Sequence, residues 1–334
     1  MNESIKAVHL AHTDGELSDV SAFGSGATAR AVTFHRSLPV YEPTPLADLK
    51  CLAAGLGLGR IAVKDESKRF GLNAFKGLGT SYSVARYLAQ YLDLPESEMT
   101  YETLQKPEYR ERLRGVTLVT ATDGNHGRGI AWAAKLFGLF AHVFMPKGSS
   151  PERLANIRGL GAEAAFTNYN YDDAVRYAAQ MAKEKGWVLI QDTAFEGYTE
   201  IPLRIMQGYT TLAHEAMEQY DDMPTHIFLQ AGVGSLPAAI TGYFAAHYGE
   251  KRPVITIVEP NRADCIYRTA AASDGERHIV TGEISSIMAG LSCGEPSPIA
   301  WEILKDYADH FVSVPEWVAA KGMRILGNPL DDDP

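Results

Sequence analysis

The sequence is poor in the residues that mark secreted, zinc-binding or nucleic-acid-binding proteins. Its three cysteines, Cys51, Cys265 and Cys293, lie far apart and form no Cys-x-x-Cys pair. Neither a disulfide framework nor a zinc knuckle is therefore indicated, no metal site is predicted, and a cytoplasmic location is expected. Lysine and arginine total 31 against 41 acidic residues, a net charge of −10. A nucleic-acid partner is disfavoured, because phosphate binding requires a basic face.

Long hydrophobic runs are also lacking. The first 20 residues carry acids and no apolar core, which argues against a signal peptide. The longest apolar tract, residues 129–145, is interrupted by Lys135, Gly138 and His142, so it fits a helix followed by a strand better than a membrane span. With 334 residues and 46% hydrophobic content, about two globular domains are expected, with no membrane segment.

From residue 116 onward, apolar strands and amphipathic helices alternate. Helices are predicted over residues 127–137 and 171–185, each closed by a glycine, with short apolar strands between them. A third helix is predicted to begin at a capping Ser150 followed by Pro151 and to run to Gly159. This alternation is typical of parallel sheets with helices on both faces. The first 40 residues lack strong periodicity and are expected to wrap over the body as an arm. Residues 95–114 are dense in charge and are interpreted as a surface insertion.

A lysine-containing segment, residues 64–76, leaves a short strand and ends where a helix begins. Asn73 stands at a candidate N-cap position, which would place Lys76 in the first helical turn. Unpaired N–H groups disfavour a cation there, so we expect a lowered pKa for the Lys76 amine and readiness to attack an aldehyde. A solvated surface lysine is the alternative, and two further stretches argue against it.

A glycine-containing loop follows the predicted strand 225–230 and opens a helix. Glycines allow backbone N–H groups to converge on an anion, and the helix N-terminus adds its dipole. The candidate phosphate-binding residues are Gly232, Val233, Gly234 and Ser235. The third glycine of the Rossmann fingerprint and the lysine of the Walker pattern are both lacking, which disfavours a dinucleotide enzyme and an ATPase. A tight structural turn is the alternative.

Two acidic residues, Asp123 and Asp192, each follow a predicted strand. The carboxyl ends of parallel strands meet at one edge of the sheet, so both carboxylates should reach the same site. There they could exchange protons with a substrate and attract an ammonium group. Helix capping is the alternative for Asp123 and for Asn125, and a cap or a turn is the alternative for Asp192. His126 is interpreted as structural.

At these residues the chain resembles the diaminopropionate ammonia-lyases, pyridoxal-phosphate enzymes of the tryptophan-synthase-β or fold type II group. The resembling segments include residues 64–76, 122–129, 170–173, 191–202, 230–234 and 258–268. The resemblance implies an α/β fold with two doubly wound open-sheet domains. Residues 1–85 together with 198–334 would form the large cofactor domain, and residues 86–197 a small domain inserted in it. It also implies a homodimer.

The resemblance further implies a role for each candidate residue. Lys76, next to Phe75, would form the Schiff base with pyridoxal 5'-phosphate, the loop 232–235 would hold the phosphate, and Asn125 would lie beside the phenolic oxygen. Asp123 and Asp192 would be acid/base groups facing a small amino-acid substrate. The implied reaction converts D- and L-2,3-diaminopropionate to pyruvate and ammonia. Lys76 would take the α-proton of one enantiomer and Asp123 that of the other.

Relatives of this kind continue past the equivalent of Pro334 with a segment that contacts the pyridine nitrogen. The sequence is therefore expected to be a fragment or a naturally short chain. Two alternatives remain open: a serine or threonine dehydratase of the same fold, and a non-catalytic remnant that binds the cofactor. The dehydratases carry a serine where Asp123 stands, which favours the ammonia-lyase.

Overall fold

The computed structural model describes residues 4–11, 16–122, 124–282, 284–330 and 332–334. The strands in chain order are β1 Lys6–His9, β2 Leu46–Asp48, β3 Ala62–Lys64, β4 Thr117–Ala121, β5 Phe140–Met145, β6 Glu163–Phe166, β7 Val188–Leu189, β8 His226–Gln230, β9 Val254–Pro260 and β10 His310–Val314. The α-helices are α1 Ser25–Ser37, α2 Lys50–Gly55, α3 Lys76–Tyr91, α4 Tyr101–Leu104, α5 Pro107–Arg112, α6 Asn125–Phe137, α7 Pro151–Gly159, α8 Tyr171–Lys185, α9 Glu200–Gln219, α10 Ser235–Tyr248, α11 Cys265–Ala272, α12 Pro298–Tyr307 and α13 Glu316–Gly327. Short 3-10 turns span Ser21–Phe23, Glu66–Gly71, Glu96–Glu98, Gly249–Lys251 and Ala289–Leu291.

The strands form three sheets. One has the order β6-β5-β4-β7 and is parallel throughout, with Leu118 opposite both Ala141 and Val188. Another has the order β1-β10-β9-β8, in which β8, β9 and β10 are parallel and β1 runs antiparallel along β10. A two-stranded antiparallel ribbon joins β2 to β3. Parallel neighbours require crossover connections, and helices supply them here, as the alternating sequence pattern predicts.

The deepest packing lies where α3 crosses α9. A Cβ atom added to Gly208 would lie 2.7 Å from the carbonyl oxygen of Leu78 and 2.8 Å from the Cα of Gly79. Only glycine allows two helix backbones to approach so closely. Because α3 begins at Lys76, this crossing fixes where the Lys76 side chain starts.

The N-terminal residues differ from the expected arm. Helix α1 is part of the core, with Ala31, Phe34 and His35 fully buried, and β1 extends a sheet. Only two of the six buried residues of α1, Val32 and Phe34, are large and apolar, the others being alanine, threonine and histidine, so its hydrophobic periodicity is too weak to predict a helix. The charge-rich stretch 95–114 also contributes buried side chains, among them Leu104.

Helix ends with strong local signals were predicted correctly. Ser150 precedes the proline that opens α7, and its hydroxyl accepts the N–H of Glu152 at 3.2 Å. Gly138 and Gly186 end α6 and α8 in the left-handed conformation, with φ of +62° and +68°. These ends depend on residues within one turn of the helix, which explains why the sequence sufficed.

Candidate active site

The segment before Lys76 makes an irregular turn. Phe70 and Asn73 have positive φ values of 51° and 53°, so Asn73 does not adopt the extended conformation of an N-cap. Phe75 is the residue that precedes α3, and no side chain caps this helix end. The prediction that Asn73 caps the helix is therefore wrong, whereas the placement of Lys76 in the first turn is confirmed.

A buried charge cluster, formed by Arg69, Glu215, Glu66 and Lys64, anchors this turn to α9. The Arg69 guanidinium donates to both carboxylate oxygens of Glu215 at 2.8 and 2.7 Å and to both oxygens of Glu66 at 2.8 Å. Lys64 Nζ lies 2.7 Å from Glu215 Oε2. Burial favours the neutral acid, but these cations outweigh it and hold the pKa of Glu215 below its usual value. The cluster thus fixes the turn that leads to Lys76.

Lys76 and Asp192 form a short ion pair. Asp192 lies three residues past β7, so the sheet edge predicted from the sequence does carry it to the lysine. Burial lowers the pKa of Lys76, but the charge and hydrogen bond of Asp192, together with Tyr209 and Cys293, outweigh burial and raise this pKa above its ordinary value. The expected lowering of this pKa is therefore wrong. The local argument from the helix N-terminus did not include a carboxylate from a distant strand.

His126 lies on the other side of Asp192. Its Nε2 donates to the carbonyl oxygen of Ile190 at 2.8 Å, which leaves Nδ1 as the unprotonated nitrogen of the neutral ring. Nδ1 lies 3.6 Å from Asp192 Oδ2, the oxygen that also contacts Lys76, and has no hydrogen-bond partner among the described residues. His126 was interpreted as structural from the sequence. The sequence feature that could have indicated a place in the site is its position in the first turn after β4, at the sheet edge that also carries Asp192.

The charge of Lys76, and that of His126 when it is protonated, also act on Asp192. Burial favours its neutral acid, but His126 and Lys76 together outweigh burial and hold the pKa of Asp192 well below its usual range. The pKa of His126 is lowered, mainly by burial. Its position near the N-terminus of α6 acts in the same direction, because the helix dipole disfavours a cation there. At neutral pH the site therefore contains an ammonium, a carboxylate and a neutral imidazole.

Two aromatic side chains flank the lysine. The rings of Phe75 and Tyr209 pack edge to face with centroids 5.1 Å apart, and Lys76 Nζ lies 5.7 Å from the Phe75 centroid. The Tyr209 hydroxyl is buried and has no hydrogen-bond partner within the described ranges. Burial raises the pKa of Tyr209, so the group remains an O–H donor. Tyr209 lies in the middle of α9, outside any motif, and sequence reasoning missed it.

The glycine loop lies next to the same carboxylate residue. Gly234 has a φ of +100°, which favours glycine, and Ser235 Oγ donates to the backbone carbonyl of Asp192 at 2.6 Å. A Cβ atom on Gly232 would lie 3.1 Å from Cys293 Sγ. The carbonyl of Val233 accepts the N–H of Ser297 at 2.8 Å, which ties the loop to α12.

The start of α10 supplies N–H groups to this loop. The first intrahelical bond runs from the N–H of Ala238 to the carbonyl of Gly234. The N–H groups of Ser235 and Leu236 precede that bond, so they have no partner inside the helix. A left-handed glycine at a helix N-terminus is a suitable cradle for a phosphate group.

Asn125 and Asp123 follow strand β4. Asn125 is the exposed first residue of α6, and Gly124 precedes it without a side-chain cap, so the alternative in which Asn125 caps this helix is wrong. Asp123 lies outside the described residues. Its role remains a prediction from the sequence.

A cleft of about 970 Å³ adjoins the site. Charged side chains from α7, α8 and the segment before α12 line it, including Arg153, Asp172, Arg176 and Glu295. The hydroxyl of Tyr171, also on its wall, accepts a hydrogen bond at 3.2 Å from Gln191, the neighbour of Asp192. Burial and the charge of Glu295 raise the pKa of Asp172 to about 6. Neither Lys76 nor Asp192 lines the cleft, and the contact of Tyr171 with Gln191 links its wall to the neighbour of Asp192.

These residues fit a cofactor that carries an aldehyde and a phosphate. Lys76 would supply the amine for the aldehyde and the loop 232–235 the cradle for the phosphate, with Asp192 and His126 beside the amine. Among the described residues, no three His, Cys, Asp or Glu side chains are grouped so as to hold a metal ion. In that same part of the chain, none of the helices has the length and apolarity that crossing a membrane requires. The fold and the site together define the class: an α/β enzyme in which a lysine amine bonds the aldehyde of a cofactor.

The chain belongs to the pyridoxal-phosphate dependent enzymes, whose family model matches residues 38–328. It is 54% identical over 302 residues to the diaminopropionate ammonia-lyase of Salmonella typhimurium, covering 89% of this chain and 75% of that protein. The Escherichia coli diaminopropionate ammonia-lyase in complex with D-serine superposes with a TM-score of 0.91 at 46% identity, covering 99% of this chain and 82% of that one. The same enzyme in complex with an aminoacrylate-PLP azomethine reaction intermediate gives 0.89 at 45%, with the same coverage. The predicted family, fold class and cofactor are thus confirmed.

Proposed function

We propose that this chain is a carbon–nitrogen lyase that eliminates ammonia from D- and L-2,3-diaminopropionate and yields pyruvate. The observation that carries the proposal is the buried ion pair of Asp192 with Lys76, in a chain 54% identical to a relative named for this reaction. A diamino acid brings a second ammonium group, and a buried carboxylate attracts it. A serine or threonine dehydratase eliminates hydroxide and needs no such anion.

Pyridoxal phosphate, when bound, supplies a ring that delocalises the negative charge left at the substrate α-carbon. Lys76 would hold its aldehyde and the loop 232–235 its phosphate. Phe75 and Asn125 would flank it. The Tyr209 hydroxyl, buried beside Phe75, would donate a hydrogen bond into the site.

Proton movement is assigned to the chain's own groups. Lys76 Nζ, once neutral, takes the α-proton of one enantiomer. Asp192 holds the substrate ammonium in place, so that the departing nitrogen keeps its protons and leaves as neutral ammonia. Asp123 remains the proposed base for the other enantiomer, and this assignment is based on the sequence alone.

The domain division is also a proposal. The sheet β6-β5-β4-β7 is built from residues 117–189 alone, which supports a small domain formed by residues 86–197. Residues 1–85 and 198–334 would form the large domain. The homodimer and the cytoplasmic location remain predictions from the resemblance and the composition.

The decisive experiment follows the visible spectrum of the purified chain with pyridoxal phosphate, before and after 2,3-diaminopropionate is added, with pyruvate measured in the same cuvette. We expect a yellow protein whose absorbance shifts with substrate and which forms pyruvate. The Lys76→Ala variant is the control and should form none. Faster pyruvate formation from serine than from diaminopropionate would identify a dehydratase, and a yellow protein without pyruvate would contradict the lyase.

A second experiment tests the two bases. In the Asp123→Asn variant, pyruvate formation from one enantiomer should fall much more than from the other, because each base works on its own face of the substrate. Equal losses on both enantiomers would contradict the separate roles of Lys76 and Asp123.

A further inference from the structure

The ion pair with Asp192 creates a difficulty for Lys76. An amine can attack an aldehyde or remove a proton only in its neutral form. The neighbouring carboxylate stabilises the ammonium instead and raises the pKa of Lys76. Asp192 is itself held well below its usual pKa range, so it is a poor final acceptor for the proton that Lys76 must lose. A further acceptor is required.

His126 has the geometry of that acceptor. Its ring is held by the hydrogen bond from Nε2 to the Ile190 carbonyl, so the lone pair of Nδ1 is directed away from the backbone. Nδ1 lies 3.6 Å from Asp192 Oδ2, and this same oxygen contacts Lys76 Nζ. Both His126 and Asp192 are nine-tenths or more buried, and Nδ1 has no hydrogen-bond partner in the described part of the chain.

We propose that His126, acting through Asp192, accepts the proton that Lys76 Nζ must lose before it can bond an aldehyde or act as a base. An N–H bond at Nζ breaks and its electron pair stays on the nitrogen. Asp192 Oδ2 carries the proton across and is ionised again. A new N–H bond forms at Nδ1 from the imidazole lone pair. One ammonium is lost and one imidazolium is gained, so the charge of the site is unchanged.

Burial lowers the pKa of His126, so the proton rests on Lys76 before the transfer, but the change of charge during the transfer reduces this preference. The described charged groups that act on His126 are Asp192, which raises its pKa, and Lys76, which lowers it. When Lys76 loses its charge, its lowering effect on the pKa of His126 disappears, while the raising effect of Asp192 remains. Imidazolium formation therefore becomes easier as the transfer proceeds. The inference rests on the proposed use of Lys76, but not on the identity of the substrate.

The first test measures how fast the cofactor-free protein takes up pyridoxal phosphate, by the absorbance change as Lys76 bonds the aldehyde, from pH 6 to pH 10. The His126→Gln variant keeps a donor for the Ile190 carbonyl but cannot hold the proton. We expect uptake about a hundredfold slower at pH 7, a typical effect of losing a proton-transfer group. The deficit should shrink towards pH 10, where hydroxide removes the proton directly.

His142→Gln is the matched control, since His142 Nδ1 also faces a carboxylate, Glu163 Oε2 at 3.4 Å, but lies on β5 away from the lysine. Its uptake should equal that of the wild type. An uptake rate for His126→Gln within threefold of wild type, or a loss that is equal at every pH, would overturn the proposal. The second outcome is what a purely structural role would produce.

A second measurement avoids the substitution of His126. In cofactor-free protein with ¹⁵N-labelled histidine, the His126 ring is titrated by NMR in the wild type, Lys76→Met and Asp192→Asn. The pKa of His126 should rise in Lys76→Met and fall in Asp192→Asn, while the His142 resonance stays unchanged. Identical His126 titrations in all three proteins would refute the coupling. Neither measurement involves turnover, so both results stand whether or not diaminopropionate is the substrate.

Discussion

The crossing of α3 and α9 makes a quantitative prediction for Gly208→Ala. The added Cβ would lie 2.8 Å from the Cα of Gly79, whereas two carbons in contact prefer about 3.5 Å. The helices must separate by about 0.7 Å, the difference between these two distances. Overpacking of this kind costs about 1–3 kcal/mol, and alanine recovers about 1 kcal/mol through its better helix propensity. We expect a net loss of about 0–2 kcal/mol of unfolding free energy.

The effect on activity should be larger than the effect on stability. Lys76 moves with α3 while Asp192 stays with its sheet, so the separation acts directly on their contact. A displacement approaching 1 Å can cost about a hundredfold in rate. Urea unfolding and steady-state pyruvate formation would be measured on Gly208→Ala and on Gly322→Ala. Gly322 lies in α13, where an added Cβ meets no atom within 4 Å. A Gly208→Ala protein as active as Gly322→Ala would refute the reasoning.

Three further predictions concern stability and cofactor binding. Glu215→Gln removes the carboxylate that pairs with the buried cations Arg69 and Lys64, so the unfolding free energy measured in urea should fall by about 3–5 kcal/mol. Glu218→Gln, at an exposed position of the same helix, is the control and should change it by under about 1 kcal/mol. Burial lowers the pKa of His35 from 6.5 to about 3, so stability should fall as pH drops below 6.5, by about 1.4 kcal/mol per unit. His35→Gln should lose that slope, and an unchanged slope would contradict the assignment. Gly234→Ala places a side chain on a residue with a φ of +100°, which costs about 1–2 kcal/mol. The affinity for pyridoxal phosphate, measured by absorbance titration, should fall about tenfold, and an unchanged affinity would exclude the loop as the phosphate cradle.

The parts of the molecule that were predicted correctly depend on local signals or on a strong motif. The bounds of α7 and α8 follow from a capping serine, a proline and closing glycines. The positions of Lys76 at the start of α3 and of the glycine loop before α10 follow from strand-to-helix patterns in the sequence, while the roles of these residues stay predictions. The position of Asp192 at the site could be predicted because the carboxyl ends of parallel strands lie at one edge of the sheet. The effect of Asp192 on the pKa of Lys76 could not be predicted, because it depends on the distance between the two side chains.

The parts that were missed depend on contacts between distant segments. Tyr209 reaches the site because Gly79 and Gly208 bring two helices together, and nothing around residue 209 indicates this. His126 looked like a buried core histidine, and the partners of its two nitrogens could not be distinguished without coordinates. Helix α1 was missed because most of its buried residues are alanine, threonine and histidine, which give little hydrophobic periodicity.

The two buried charge clusters differ in a way that bears on their roles. In the cluster of Arg69 and Glu215, each carboxylate oxygen of Glu215 accepts a hydrogen bond from the Arg69 guanidinium. Networks in which every polar group is satisfied make the segments that they join rigid. Around Lys76 and Asp192, by contrast, His126 Nδ1 and the Tyr209 hydroxyl lack hydrogen-bond partners among the described residues.

Buried polar atoms without partners cost about 1–3 kcal/mol each, and both His126 and Tyr209 carry such an atom within the described ranges. Their retention is explained if the site must accept a proton at one atom and donate a hydrogen bond from the other. The saturated cluster holds the backbone that presents Lys76, and the unsaturated cluster keeps the groups with which Lys76 reacts. Replacing Tyr209 by phenylalanine should therefore stabilise the cofactor-free protein while slowing turnover, whereas Glu215→Gln should destabilise it.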